Sequence, residues 1–254
     1  MTTIGLLHPG EMGAALAARL RERGHDVLWL GEGRSAASRD RAGAAGLRDA
    51  GSLAALRAES DIVLSVCPPH AALDVARAVA GYAGVFVDAN AIAPATVEAV
   101  HAVVEDAGGR FVDGGIIGPP PAREGTTRLY LSGAEAAGVA AAFDGTCVEA
   151  AVVGGEPGTA SALKMAYAAW TKGTAAMLLA IRGTARAAGV EDALVREWRR
   201  SQPDVPDRLA AAQDAAARKG WRWVGEMEEI AATFAAAGQP DGFHRAAAEV
   251  FRSQ

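Results

Sequence analysis

Near its start the chain reads "TIGLLHPGEMGAALAARLRERGHDVLWL": a short apolar run, a glycine-bearing turn, an amphipathic segment and a second apolar run. Two strands joined through a helix run parallel in one sheet, so this unit commits the N-terminal part to an α/β architecture. The alternation continues. Candidate strands are Ile4 to Leu7, Val27 to Leu30, Ile62 to Val66, Val85 to Val87, Phe111 to Val112, Leu129 to Leu131 and Val148 to Val153, and helices begin near Glu11, Pro69, Pro94 and Ala134. The expectation is a parallel sheet of βαβ units.

After "VVGGEPG" no strand pattern follows. Glu156 to Ala188 reads as one long helix, with further helices at Ala193 to Arg200, Pro206 to Lys219, Trp221 to Ala237 and Gly242 to Phe251, separated by Gly189, Pro203, Gly220 and Gly238 to Pro240. The expected organisation is therefore α/β, a Rossmann dinucleotide-binding domain over 1–155, followed by an all-helical domain over 156–254 for substrate binding and dimerisation.

A formal charge of −5 leaves no basic surface for nucleic acid or an anionic membrane, so an anionic ligand must be held by local arginines and backbone amides. The two cysteines, Cys67 and Cys147, suit a reducing cytoplasm and are expected to be inert. The apolar start is short and lacks a basic leader, so no signal peptide is expected. Lys164 and Lys172 interrupt the least polar run, Thr159 to Ile181, which argues against a membrane span. No metal site is expected.

In the dinucleotide fingerprint one glycine makes the tight turn, one lets the backbone approach the pyrophosphate, and one packs helix against strand. Here these positions are His8, Gly10 and Gly13. Pro9 biases His8 towards an extended conformation, so the turn is unlike the usual one. Gly10 and the amides of Glu11 and Met12 at the helix start retain the phosphate cradle. The second strand ends in "LWLGEGRSAASRDRA". Glu32 and Gly33 suit the ribose hydroxyls of NAD, whereas Arg34 and Ser35, with Arg39 and Arg41 behind, suit the 2′-phosphate of NADP. NADPH is the favoured cofactor and NAD the alternative, with at least one of Arg39 and Arg41 expected to be a solvated charge.

The motifs "GEMG", "VDANAIAP", "VDGGIIGPP" and "GTASALKMAY", in this order and spacing, resemble the β-hydroxyacid dehydrogenase superfamily, which includes 3-hydroxyisobutyrate and 6-phosphogluconate dehydrogenases. The C-terminal "WRWVGEMEEIAATFAAAG" with "DGFHRAAAEVF" resembles a bacterial branch whose C-terminal domain has no assigned function. The resemblance implies that Val66, Cys67 and Pro68 cover the adenosine ribose and the approach to the nicotinamide. It also places Asn90 near the nicotinamide ribose, with a catalytic role, and makes Lys164 the general acid or base.

Two departures from the family pattern bear on substrate. Where the family carries Ser-Gly-Gly to grip a carboxylate, this chain has Ile117, Gly118 and Pro119, losing a hydroxyl and an amide donor; Arg123 in the next loop is the replacement candidate. Where the family carries an asparagine one turn after the lysine, this chain has Ala168, so Tyr167 or Thr171 would inherit its role. Trp221, Trp223 and Met227 read as core or dimer packing, Glu226 as a solvated charge and His244 as a surface histidine. The reading is an NAD(P)H-dependent oxidoreductase acting on a small carbonyl or hydroxy compound, as a homodimer. An imine reductase and a non-catalytic NADP-binding sensor are the alternatives.

Overall fold

The computed structural model describes residues 1–253. Its contacts divide it into two compact units, Met1–Lys164 and Met165 onward. The division falls inside the long helix, whose first turn is hydrogen-bonded to the sheet.

The first unit is built on an eight-stranded sheet of order β3-β2-β1-β4-β5-β6-β7-β8. In chain order its elements are β1 (Thr3–Leu6), α1 (Glu11–Glu22), β2 (Asp26–Trp29), α2 (Ala36–Ala44), β3 (Arg48–Asp49), α3 (Leu53–Glu59), β4 (Ile62–Ser65), α4 (Ala72–Ala78), β5 (Val85–Asp88), α5 (Pro94–Asp106), β6 (Arg110–Ile117), β7 (Thr127–Ser132), α6 (Ala136–Ala141) and β8 (Val148–Gly154). Strand order reverses between β1 and β4, and the crevice outside the carboxyl ends at such a reversal is where open α/β sheets take ligands.

Each central strand is apolar on both faces because helices cover both. Along β4, Ile62 and Leu64 join the core that holds Leu16 and Leu20 of α1, whereas Val63 joins Leu56 of α3 and Val97 of α5 on the other side. Fully burying a side chain of this kind contributes about 1.5–3 kcal/mol, so the two layers fix the strand register.

The sheet is mixed, which corrects the all-parallel expectation: β7 runs antiparallel to β6. The connection from Gly118 to Thr126 is too short for a helical crossover, so the chain folds straight back. The β6 strand is also longer than expected, continuing through Gly114 and Gly115 to Ile117. Three elements were not foreseen. The two-residue β3 carries only exposed polar side chains, and α2 and α3 are short, begun by the side-chain caps of Ser35 and Ser52.

The second unit holds most of α7 (Thr159–Ala187), then α8 (Glu191–Ser201), α9 (Val205–Ala236) and α10 (Gly242–Arg252). Gly220 does not end a helix, and one helix replaces the two expected. A glycine inside a helix costs roughly 1 kcal/mol, which packing of α9 outweighs: Gly220 is buried, and a methyl there would lie 3.8 Å from the Phe251 carbonyl of α10. Glu226 is not a solvated charge but pairs with Lys172, whose ammonium lies 6.0 Å from the centroid of the Trp223 ring. Trp221 is exposed, which removes it from the core of the single chain, and His244 is buried edge-on against Phe234 at 4.2 Å between ring centroids. Among the described residues no helix is long and apolar enough to cross a membrane, and no cluster of metal-ligating side chains occurs.

Candidate active site

The glycine turn works without its first glycine. Gly10 stands at the N-cap of α1 in extended conformation, and its amide donates to the His8 carbonyl at 2.9 Å. Nothing lies within 4 Å of the point where a Gly10 side chain would project, so the backbone there is open to a ligand. Gly13 is closed in: a methyl on it would lie 2.5 Å from the same carbonyl. Gly13→Ala is therefore expected to lower stability by about 1–3 kcal/mol, as overpacking does, and to weaken cofactor binding; thermal melting and a fluorescence titration check both. Arg41 explains how the turn is held, since its Nε donates to the Pro9 carbonyl at 2.9 Å. No motif announces that contact.

His8 and Arg34 face one cavity of about 210 Å³, lined also by Leu7, Leu30, Leu53 and one face of α4. Burial, helped by the Arg34 guanidinium, pushes the His8 imidazole down to about 4, so it is neutral at physiological pH. His8 Nδ1 and Arg34 Nε are both buried without a hydrogen-bond partner. Orphaned polar atoms of this kind cost stability unless a ligand satisfies them. Glu32 and Gly33 are exposed on the same loop, Gly33 in the left-handed region at φ +69°. Ser35 is already engaged, its hydroxyl accepting from the Ser38 amide at 3.3 Å as the cap of α2.

The β4 and β5 ends are tied together. Asn90 is buried, its Oδ1 accepting from the Cys67 amide at 2.5 Å while its Nδ2 donates to Asp88 at 2.8 Å and to Ser65 Oγ at 3.3 Å. Both amide protons are thereby used within the protein, so Asn90 shapes the Val66–Pro68 loop and has only the second lone pair of Oδ1 left for a ligand. Burial pushes the Asp88 carboxyl up to about 7, with Asp113 adding to the effect. Burial pushes the Cys67 thiol up to about 12, so it remains protonated.

Lys164 stands on the first turns of α7, against β6. A methyl on Gly115 would lie 2.7 Å from the Ala160 carbonyl and 3.0 Å from Lys164 Cβ, so only glycine permits this approach. Gly114, the residue before it on β6, faces the end of β5 instead, where its methyl would lie 3.2 Å from the Asp88 carbonyl. In the β5–β6 register Asp88, the last residue of β5, pairs with Asp113, so Gly115 and the half-buried Lys164 packed on it lie two residues past the carboxyl end of β5. Burial alone lowers its amine to about 8.

The remaining expected residues are dispersed. Ile117 is buried within β6, Pro119 accepts from Thr127 Oγ1 at 2.7 Å, and Gly118 turns the chain at φ +121°. Arg123 is exposed in the loop before β7. Tyr167 and Thr171 lie in the second unit, Tyr167 exposed and the Thr171 hydroxyl turned onto the helix carbonyls of Tyr167 and Ala168.

A cradle open above Gly10, a helix start behind it, and orphaned polar atoms on His8 after the first strand and Arg34 after the second define a dinucleotide-binding domain. The model of the NAD binding domain of 6-phosphogluconate dehydrogenase matches residues 2–143, and a domain of unknown function, DUF1932, matches residues 185–254. The chain belongs to this NAD-binding family, as a β-hydroxyacid dehydrogenase superfamily oxidoreductase with a DUF1932 C-terminal domain.

It is 30% identical over 193 residues to an uncharacterized 28.5 kDa protein of Methanothermus fervidus, covering 76% of this chain and 74% of that one. Among solved structures, the conserved protein MTH1747, described as structurally similar to 3-hydroxyacid dehydrogenases, shares 28% identity at a TM-score of 0.73, over 99% of this chain and 96% of that one. Mycobacterium tuberculosis 3-hydroxyisobutyrate dehydrogenase shares the fold at a TM-score of 0.75 and 19% identity, over 100% and 93% of the two chains. An Aspergillus terreus reductive aminase solved with NADPH shares it at 0.64 and 18%, over 100% and 93%.

Proposed function

We propose that this chain is an NADPH-dependent reductase or dehydrogenase of a small carbonyl or hydroxy compound, with Lys164 as the general acid and base. The observation that carries the reading is the half-buried lysine packed on Gly115 just past the carboxyl end of β5, its amine lowered to about 8. His8, Pro9, Gly10, Glu11, Met12 and Gly13 would hold the pyrophosphate side of the cofactor, Arg34 its 2′-phosphate, and the Val66–Pro68 loop its ribose. When bound, the nicotinamide supplies or accepts the hydride. In reduction Lys164 Nζ gives its proton to the substrate oxygen as the carbon gains hydride, turning C=O into CH–OH. In oxidation the neutral amine takes that hydroxyl proton as the hydride leaves.

The direction of pH dependence follows. Reduction needs the ammonium and should fall as pH rises through about 8, whereas oxidation needs the amine and should rise through the same value. Profiles of kcat/KM in both directions check this, and limbs of the opposite sense would reject the role. Arg123 is the group proposed to meet a substrate carboxylate.

A second reading, reduction of C=N, draws support from the lack of a hydroxyl donor across Ile117–Pro119 and from the fold shared with the reductive aminase. Screening ketoacids, aldehydes and cyclic imines separates the two.

The homodimer belongs to the same proposal. The α7 and α10 surfaces expose Trp170, Met177 and Phe243 around an apolar hollow of about 650 Å³ in the second unit. A second copy of the chain is the proposed cover. Light scattering at micromolar concentration should give twice the chain mass, and Met177→Glu should halve it; a monomeric wild type would reject the assembly. Both cysteines are free thiols, which suits a cytoplasmic location.

A further inference from the structure

The N-terminus of α7 is capped by a side chain that comes from neither the helix nor the residues just before it. Asp113, buried on β6, accepts at Oδ2 from the Gly158 amide at 2.9 Å, from the Ser161 amide at 2.9 Å and from Ser132 Oγ at 3.0 Å. Its Oδ1 accepts from Ser161 Oγ at 2.6 Å. Ser132, paired with Asp113 across β6 and β7, takes up a further amide, accepting from Ala160 at 3.1 Å. Three amides at the start of the helix are thus satisfied by a carboxylate and a hydroxyl carried on adjacent strands. A buried negative charge at a helix N-terminus also meets the positive end of the helix dipole.

Helix ends are ordinarily closed by their own Ser, Thr, Asp or Asn. Here Gly158 precedes the helix in the left-handed region at φ +94°, and the closing groups are fixed to the sheet instead. A local cap fixes only the helix; this one also fixes where the helix sits on β6. Ser161 is three residues before Lys164, within one helical turn, so the bonds to Asp113 set the height and rotation of the lysine above Gly115.

We propose that Asp113, acting through the amides of Gly158 and Ser161 and the Ser161 hydroxyl, is the positioning residue for Lys164, clamping the start of α7 to the sheet so that the amine is held at its half-buried place. This rests on the acid–base reading of Lys164 for its functional meaning but not for its test. The titratable neighbour of the cap is Asp88, beside Asp113 in the β5–β6 register, and no charged side chain contributes to the lowering at Lys164. The amine therefore reports its own burial. Loosening the clamp lets water reach it and moves its titration upward.

The chain has only three lysines, Lys164, Lys172 and Lys219, so the full-length protein labelled with ¹³C-lysine gives few enough side-chain signals to titrate by NMR, with Lys164→Arg assigning one. Asp113→Asn keeps the volume and removes the charge; Ser161→Ala removes one bond and is the milder variant. The wild-type signal is expected to titrate near 8. It should rise by about one unit or more in Asp113→Asn, and by less in the same direction in Ser161→Ala. Circular dichroism and NADPH titration establish that each variant is folded.

In turnover, Asp113→Asn should lower kcat more than it changes KM. An unchanged Lys164 titration in the folded variants would overturn the proposal, as would a wild-type lysine titrating at the free value. If Asp113→Asn does not fold, Ser161→Ala decides. Full turnover in Lys164→Arg would defeat the acid–base reading while leaving this positioning result standing.

Discussion

Lys164→Ala is expected to cut turnover roughly 10²- to 10⁴-fold, the usual contribution of a positioned acid or base, while NADPH binding and the fold survive. Alanine is the best helix former, so α7 loses nothing locally. The removed stem leaves a half-buried site where burial already disfavours the charge, and the melting temperature should hold. Lys164→Arg is the sharper variant. It keeps charge and length but cannot release a proton near neutral pH, so it should fail almost as badly in either direction. If the lysine only reaches out to solvent, arginine should behave like wild type. Initial rates at saturating cofactor on an active member of the panel distinguish the two.

The second large effect concerns cofactor choice. Arg34→Ala is expected to weaken NADPH binding by about 1.5–3 kcal/mol, the range for a hydrogen bond to a charged group, which is roughly a 10- to 150-fold rise in Kd. NADH affinity should change little, because the lost partner is the 2′-phosphate. Arg34 rather than Ser35 carries this expectation: its Nε is buried without a partner, whereas the Ser35 hydroxyl already caps α2. Paired titrations of wild type and variant with both cofactors give the answer, and equal losses would remove Arg34 from the phosphate site.

The βαβ pattern and the glycine spacing were legible because each rests on local periodicity, and β1, α1, β2 and the two retained glycines stand where that periodicity puts them. What sequence could not show came from long-range partners. The β6–β7 reversal depends on a nine-residue connection between strands whose partners are not written in either one. Gly220 reads as a breaker until α10 is packed against it. Arg41 on Pro9, Lys172 with Glu226, and Asp113 on the start of α7 join residues 32, 54 and 48 positions apart, distances at which no spacing rule operates. Asp113 sat in a recognised motif, "VDGG", yet its role was invisible, because that role is defined by the helix it caps.

Deuterium transfer tests the central claim most directly. The wild-type chain would be incubated with NADPH deuterated at the transferable position of the nicotinamide and with the panel of aldehydes, ketoacids and cyclic imines, and the products weighed by mass spectrometry. One deuterium is expected on the reduced carbon of at least one panel member, at a rate that collapses in Lys164→Arg. Tight NADPH binding with no labelled product from any member would contradict it, and would leave the chain a nucleotide-binding sensor.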